Sequence, residues 1–362
     1  MSNEKKFLKA VKEIMNLSKV PDDSTLLQLY VLYKQSNEGD VSGELPFSGG
    51  IVAITKYRAR KKIKGMSKQD SMTKYCQLVA ELLGKDSTNS GIESWKGRTI
   101  LITGASRGIG QTMAVQFAKD GANLILLART MSGPNGSLEQ TADLVKEAGG
   151  ESISVVCDVR DELQITDAVE LGVTHFGAID AIICNAGALF IAPFDQTPLK
   201  RFDLVHQVNV RGTFALCQAA LPHLKKSGNG RILILCPPIS MEAKWLKGTL
   251  AYTISKYSMS MLVLGLGAEL AFDNIAVNGL WPATTIDTAA VRYNEALGGE
   301  EMAQRSRTTQ IVADAAYVLM SRENEKSGEF HTDESVLREE GCTDFSKYAV
   351  DNSLELQTDY YL

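Results

Sequence analysis

Two rhythms of hydrophobic and polar residues divide the chain. Up to about residue 84, apolar side chains recur at helical spacing: Phe7, Ala10, Val11, Ile14 and Leu17, then Leu26, Leu29, Tyr30 and Tyr33, and later Met72, Tyr75, Val79 and Leu82. Ser67 with Asp70 three positions on resembles a capping box opening the last of these helices. With the basic stretch ITKYRARKKIKG, reached through a loop holding Gly39, Gly43, Pro46, Gly49 and Gly50, the pattern predicts four helices in a small bundle with one modest core. Beyond residue 97 the rhythm changes. RTILIT, ANLILLA, SISVVCDV, DAIICNAG, RILILC and IAVNGLW are apolar, strand-length runs separated by helical segments. Near-continuous apolar strands alternating with helices predict a parallel sheet covered on both faces, a doubly wound α/β domain. Between the two lies GKDSTNSGIESWKG, whose Gly, Ser, Asn and Thr content is that of a linker. The predicted organisation is a helical domain over 1–84, a linker over 85–97 and an α/β domain over 98–362.

Composition narrows the classes of function. The 362 residues are 44% hydrophobic and 22% charged, which excludes a disordered chain. A net charge of -5 leaves no global basic field, so no nucleic-acid partner is expected. No run approaches the ~18 apolar residues of a membrane span, and MSNEKKFLKAVKEI lacks the block structure of a signal peptide. Six scattered cysteines without a CxxC favour neither a metal site nor a disulfide framework, and a reducing compartment is expected. The terminal YYL is not an SKL-type address.

Candidate chemistry begins with a glycine loop. Thr103, Gly104, Ala105, Ser106, Arg107, Gly108, Ile109 and Gly110 sit between the first predicted strand and its helix. Glycines there let the backbone turn tightly and bring a helix N-terminus against a pyrophosphate. The spacing is Gly-x3-Gly-x-Gly, and a plain tight turn is the alternative. An acid at the end of the second strand would hold the ribose 2′-OH of NAD. The sequence there reads Ala128-Arg129-Thr130, and Arg107 lies in the loop. Two guanidinium groups converging on a 2′-phosphate favour NADP, with NAD as the alternative cofactor. Two solvated surface arginines are the competing reading.

Tyr252 and Lys256 open an apolar helical stretch and share one face of it. A phenol needs its anion stabilised to exchange protons near neutrality, and a neighbouring ammonium does so. A Tyr and Lys at this spacing are otherwise ordinary surface residues. TGASRGIG, Asp158-Val159, Asn185-Ala186-Gly187, Asn209 and YTISK, in this order, resemble the short-chain dehydrogenase/reductase family. The resemblance implies hydride transfer between a nicotinamide and a carbonyl or alcohol carbon. It makes Tyr252 the general acid/base and Lys256 its partner and a holder of the nicotinamide ribose. It assigns Asn209 to a relay water, Asp158 to adenine, and Val159, Asn185, Ala186, Gly187 and Pro282 to the cofactor pocket. One position departs: Ile239 stands where the family places a catalytic serine, and Ser240 is the nearest hydroxyl. ILILCPP, KWLKGTLAYTISKYSMSMLVLG and SGEFHTDESVLREEG are similar to a hydroxysteroid dehydrogenase-like subgroup of the family, covering roughly Lys96 onward. This implies lipid metabolism and a cytoplasmic, peroxisomal or mitochondrial site, and the sterol-carrier domain common in the subgroup is not expected here.

A carrier of CoA wants lysines beside aromatic rings. Tyr30 and Lys34 share a helix face, Lys56 comes from the basic stretch and Tyr75 from the last helix. A bundle core edged by tyrosines explains the same residues. Tyr30-Val31-Leu32-Tyr33-Lys34-Gln35, Gly39-Asp40, Lys64-Gly65-Met66-Ser67-Lys68 and Tyr75 are similar to the acyl-CoA-binding protein family. That resemblance makes Tyr30, Lys34, Lys56 and Tyr75 contacts to an acyl-CoA ligand, while Arg60 and Tyr57 depart from tryptophans usual in the family. The expectation is an NADP-dependent oxidoreductase acting on a fatty acyl-CoA, working as a homo-oligomer. The alternatives are a dehydrogenase of steroids or other lipophilic alcohols, and a silent acyl-CoA and dinucleotide sensor or carrier.

Overall fold

The computed structural model describes residues 3–14, 21–43, 45, 50–83, 93–133, 136–323 and 326–362. The chain folds as two compact units, Met1–Gly91 and Ile92–Leu362.

The first unit holds α1 (Asn3–Glu13), α2 (Asp23–Glu38), α3 (Gly50–Lys62) and α4 (Lys68–Leu82). Asp22 caps α2 by accepting from the Thr25 amide at 2.9 Å, and Gly39 ends it with φ 79. The capping pair of α4 forms as its sequence predicts, the Asp70 amide donating to Ser67 Oγ at 3.0 Å. Phe7, Ala10, Leu29, Leu32, Tyr75 and Val79 make the core. Leu17, Pro46, Gly49 and the linker residues 84–92 lie outside the described residues.

The second unit is built on a seven-stranded parallel sheet of order β3-β2-β1-β4-β5-β6-β7. The strands are β1 (Thr99–Thr103), β2 (Asn123–Ala128), β3 (Glu151–Val156), β4 (Ala181–Cys184), β5 (Gly230–Leu235), β6 (Ile275–Trp281) and β7 (Phe330–Thr332). The first six are the predicted apolar runs; β7 is short, and its mixed sequence gave no strand signal. Helices α5 (Gly108–Ala118), α6 (Leu138–Glu147), α7 (Glu162–Phe176), α8 (Leu199–His206), α9 (Gly212–Ser227), α10 (Leu250–Glu269), α11 (Ala289–Arg292), α12 (Gly299–Gln304), α13 (Gln310–Ser321) and α14 (Asp333–Glu339) complete it. Within one strand, Ile100 and Ile102 join one core while Leu101 joins the other. That is why the strands read as unbroken apolar runs: both faces are covered. Trp95, inside the predicted linker, is buried in this unit, its ring at 5.5 Å from Phe117 and its Nε1 donating to Ser321 Oγ at 2.9 Å.

Candidate functional site

The strand order reverses direction between β1 and β4, and the loops leaving those two strands face each other there. Ligands of open α/β sheets bind at such a switch point. Gly104, with φ 67, turns the chain out of β1. A Cβ on Gly104 would meet Asn185 Nδ2 at 2.9 Å, and one on Gly110 would meet Gly104 O at 2.3 Å. The loop is therefore packed to the limit of a bare backbone. Asn185 braces it, donating from Nδ2 to Thr103 O at 2.9 Å and Gly104 O at 3.2 Å. Thr103 Oγ1 in turn accepts from the amides of Asn185 and Ala186 at 3.1 and 3.0 Å. Arg107 precedes α5 without capping it, so the N–H groups of that helix's first turn have no side-chain acceptor. A cradle of glycine backbone before an uncapped helix fits a pyrophosphate.

Tyr252, Thr253, Ser255 and Lys256 project from α10. Lys256 is 6% exposed; its Nζ donates to Leu235 O at 2.8 Å and lies 5.1 Å over the Trp281 ring. Burial pulls this ammonium down to about 8, against the opposing influence of Cys236 and Asp359. Tyr252 packs with Trp245, Tyr257, Trp281 and Tyr361. Burial there pushes its phenol well above the ordinary value, and Tyr361 and Asp359 add to the rise.

Asn209 sits fully buried in a π-helical turn, Gln207–Arg211, between α8 and α9. Such turns often mark functional positions. Its Nδ2 donates to Ala188 O and to Ser255 Oγ, both at 3.0 Å, and its Oδ1 accepts from the Ala188 amide at 2.7 Å. Asn209 thus ties the loop beyond Gly187 to the helix that carries Tyr252. Ser240 Oγ accepts from the Glu242 amide at 3.3 Å. Pro282 is buried directly after β6. Arg107 and Arg129 are both exposed, and Arg129 helps to hold the Asp158 carboxyl below its ordinary value. The main cause of that lowering is Arg160, whose Nε lies 3.0 Å from both Asp158 oxygens. Val159, beside it, is buried.

In the helical unit, Lys56 Nζ lies 4.7 Å over the Tyr30 ring. Lys34, one turn beyond Tyr30, bonds to Glu38, which also receives Arg60 Nη1 at 3.0 Å. Tyr30, Lys34 and Lys56 are therefore gathered on the α2 and α3 side. Tyr75 is 4% exposed, with its ring 5.0 Å from Phe7 and 6.3 Å from Tyr33. It is a core aromatic.

Comparison with known proteins places this geometry. The short chain dehydrogenase family matches residues 98–296, more than half of the chain. The chain belongs to that family. The acyl CoA binding protein family matches residues 4–79. Hydroxysteroid dehydrogenase-like protein 2 of Danio rerio is 44% identical over 270 residues, covering 74% of this chain and 64% of that protein. The chain thus spans less than two thirds of that relative's length. A short chain dehydrogenase from Mycobacterium thermoresistibile is 42% identical, with a TM-score of 0.70 over 74% of this chain and 96% of that one. A 7 alpha-hydroxysteroid dehydrogenase, solved with NADH and 7-oxo glycochenodeoxycholic acid, is 26% identical, with a TM-score of 0.57 over 66% of this chain and 93% of that one.

For this short chain dehydrogenase, sequence reasoning overlooked Glu38, Arg160, Trp281 and Asp359. Glu38 carried a usable signal, since it stands four positions beyond Lys34 on one helix face. Asp359 carried none, because it reaches the site by tertiary folding alone. Among the described residues no cluster of His, Cys, Asp and Glu is arranged to hold a metal ion, and no helix is long and apolar enough to cross a membrane.

Proposed function

We propose that the second unit is an NADP-dependent oxidoreductase whose substrate is a lipid, delivered as a fatty acyl-CoA by the first unit. The observation that carries this is Tyr252 and Lys256 one turn apart on α10, a helix that Asn209 ties through Ser255 to the loop beyond Gly187. A bound nicotinamide dinucleotide supplies or accepts the hydride. Thr103, Gly104, Ser106, Gly108, Ile109 and Gly110 would hold its pyrophosphate, Asp158 and Val159 its adenine side, and Asn185, Ala186, Gly187 and Pro282 its pocket. Tyr252 delivers a proton to a carbonyl oxygen as charge forms there. Lys256, one helical turn away, stabilises the phenolate that remains. Asn209 keeps the helix and the loop beyond Gly187 in register for a relay water.

Arg107 and Arg129 support NADP, since β2 ends at Ala128 with an arginine rather than a carboxylate beyond it. Tyr30, Lys34 and Lys56 support a CoA ligand. A silent carrier is the second reading, favoured by Ile239 at the position where the family supplies a serine hydroxyl. A lipophilic alcohol as substrate, a homo-oligomeric assembly and a cytoplasmic, peroxisomal or mitochondrial site complete the proposal's open arms. The deciding experiment follows nicotinamide absorbance with NADPH and NADH across CoA thioesters and steroid alcohols. Turnover with acyl-CoA and NADPH is expected. Arg129→Asp should erase the NADPH preference by removing one phosphate partner and adding repulsion. Equal dissociation constants for both cofactors in the unmutated chain would remove the NADP assignment, and binding without turnover would establish the carrier.

A further inference from the structure

The segment from Gln357 folds back onto the residues that follow β6. The Thr285 amide donates to Gln357 O at 2.9 Å, Thr358 bridges Thr284, and the Asp359 amide donates to Ala283 O at 3.1 Å. From there two side chains enter the Tyr252 cluster. Tyr361 is 3% exposed, its ring 5.6 Å from both Trp281 and Tyr257, and its hydroxyl is 3.1 Å from Thr253 Oγ1 on the helix of Tyr252. Asp359 Oδ1 accepts from Trp281 Nε1 at 2.6 Å, and the same indole carries the Lys256 ammonium over its face. This segment puts an aromatic ring and a carboxylate among the groups assigned to proton transfer.

We propose that Thr358–Tyr361 forms a wall of the reaction site, in which Asp359 positions Trp281 and Lys256 and Tyr361 seals the Tyr252 cluster from water. This rests on the oxidoreductase reading. Asp359 also bears on the protons of the site. It faces Lys256 and Tyr252 from α10, Trp281 from β6, Asp333 from α14, and Tyr360 and Tyr361 beside it. Burial pushes Asp359 up to about 7, Asp333 adds to that rise, and Lys256 opposes it. When charged, it favours the protonated forms of both Lys256 and Tyr252.

The test uses the full chain with Tyr361→Ala, Tyr361→Phe and Asp359→Asn. The first readout needs no turnover: the emission of bound NADPH, titrated to a dissociation constant. Tyr361→Ala should bind NADPH with little change in affinity yet lose the emission gain of a nicotinamide shielded from water, and Tyr361→Phe should restore it. Unchanged emission in Tyr361→Ala overturns the wall, even where NADPH binds and no substrate turns over. A chain that binds no NADPH overturns the oxidoreductase reading and the wall together. The second readout is the pH profile of kcat/KM. Asp359→Asn keeps an acceptor for Trp281 but removes the charge, so the alkaline limb of the pH profile should move down by about one unit. An unmoved limb overturns the role of Asp359.

Discussion

The molecule carries the same pair of residues twice. On α2, Tyr30 is followed one turn later by Lys34; on α10, Tyr252 is followed one turn later by Lys256. Spacing and helix geometry are identical, and the surroundings are opposite. Lys34 faces solvent and bonds to Glu38, which holds its ammonium above the ordinary value of 10.5. Lys256 is buried over an indole, has a carbonyl as its hydrogen-bond acceptor, and is pulled down to about 8. A cation kept charged in water is a docking point for an anion. A cation kept poorly solvated is a group whose proton can be moved near neutral pH. The motif fixes which atoms are adjacent, and the environment decides what they can do.

The comparison breaks most visibly at Tyr252. Tyr252→Phe removes the acidic proton and keeps nearly all of the ring packed in the aromatic cluster. Turnover should fall by ~10²–10⁴-fold, the usual contribution of a positioned acid or base, with NADPH affinity unchanged in fluorescence titration. Tyr30→Phe, on the α2 pair, should leave turnover of a CoA-independent substrate untouched. If both variants turned over normally, environment would not distinguish the pairs and the assigned acid/base role would fail.

The two lysines also diverge in how stability follows pH. Below pH 8 both folded and unfolded chains hold the Lys256 proton, and the cost of burying the charge is fully present. Above pH 8 the folded chain releases a proton that the unfolded chain keeps to its ordinary value of 10.5, so stability rises with pH. Against Lys256→Met, the unmutated chain should gain about 2 kcal/mol between pH 8 and 9.5. Lys34 has the opposite sign: its extra stability is present below 10.5 and lost only at higher pH, so Lys34→Met should show no such slope. All three tryptophans, Trp95, Trp245 and Trp281, belong to the second unit, so urea titrations followed by tryptophan emission report that unit. A flat difference for Lys256→Met would show that its ammonium is solvated.

Much of this architecture could be read from the sequence because local rules act on local stretches. Six β-strands, the capping pair at Ser67 and Asp70, and the glycine loop all follow from spacing, turn chemistry or unbroken apolar runs. The aromatic cluster could not be read. Trp245, Trp281, Asp359 and Tyr361 lie far apart along the chain and meet only because the final segment pairs with the residues after β6. Nor does periodicity reveal that Tyr75 turns inward to Phe7, since a buried and a ligand-facing tyrosine share the same helical spacing. Trp95 shows the same limit: Gly and Ser around it suggest a linker, while its own ring fills the core of the second unit.

A smaller effect is expected at Lys34 itself. If the α2 pair anchors CoA phosphate, Lys34→Ala should weaken acyl-CoA binding to the full chain by roughly tenfold or more, the scale of one charge-assisted hydrogen bond. Calorimetry with a long-chain acyl-CoA measures it, and raising salt should weaken the unmutated chain toward the variant. Undiminished binding in Lys34→Ala would return Tyr30 and Lys34 to the status of a solvated helix face.

The finest distinction concerns Glu38, which receives both Lys34 and Arg60. A phosphate arriving at Lys34 must compete with this carboxylate, whose pair is solvent-exposed and therefore weak. Glu38→Gln keeps the side chain's length, removes the competing charge and leaves two cations unneutralised. Acyl-CoA affinity should rise by about two- to threefold, in keeping with the small worth of exposed ion pairs, and the gain should vanish at high salt. The same substitution in the Lys34→Ala background should give a smaller gain, because only Arg60 is then released. A loss of affinity in Glu38→Gln would mean that the carboxylate orients Lys34 for the ligand instead of competing with it. In that case the α2 pair, like the buried one, would depend on a neighbouring carboxylate to place its lysine.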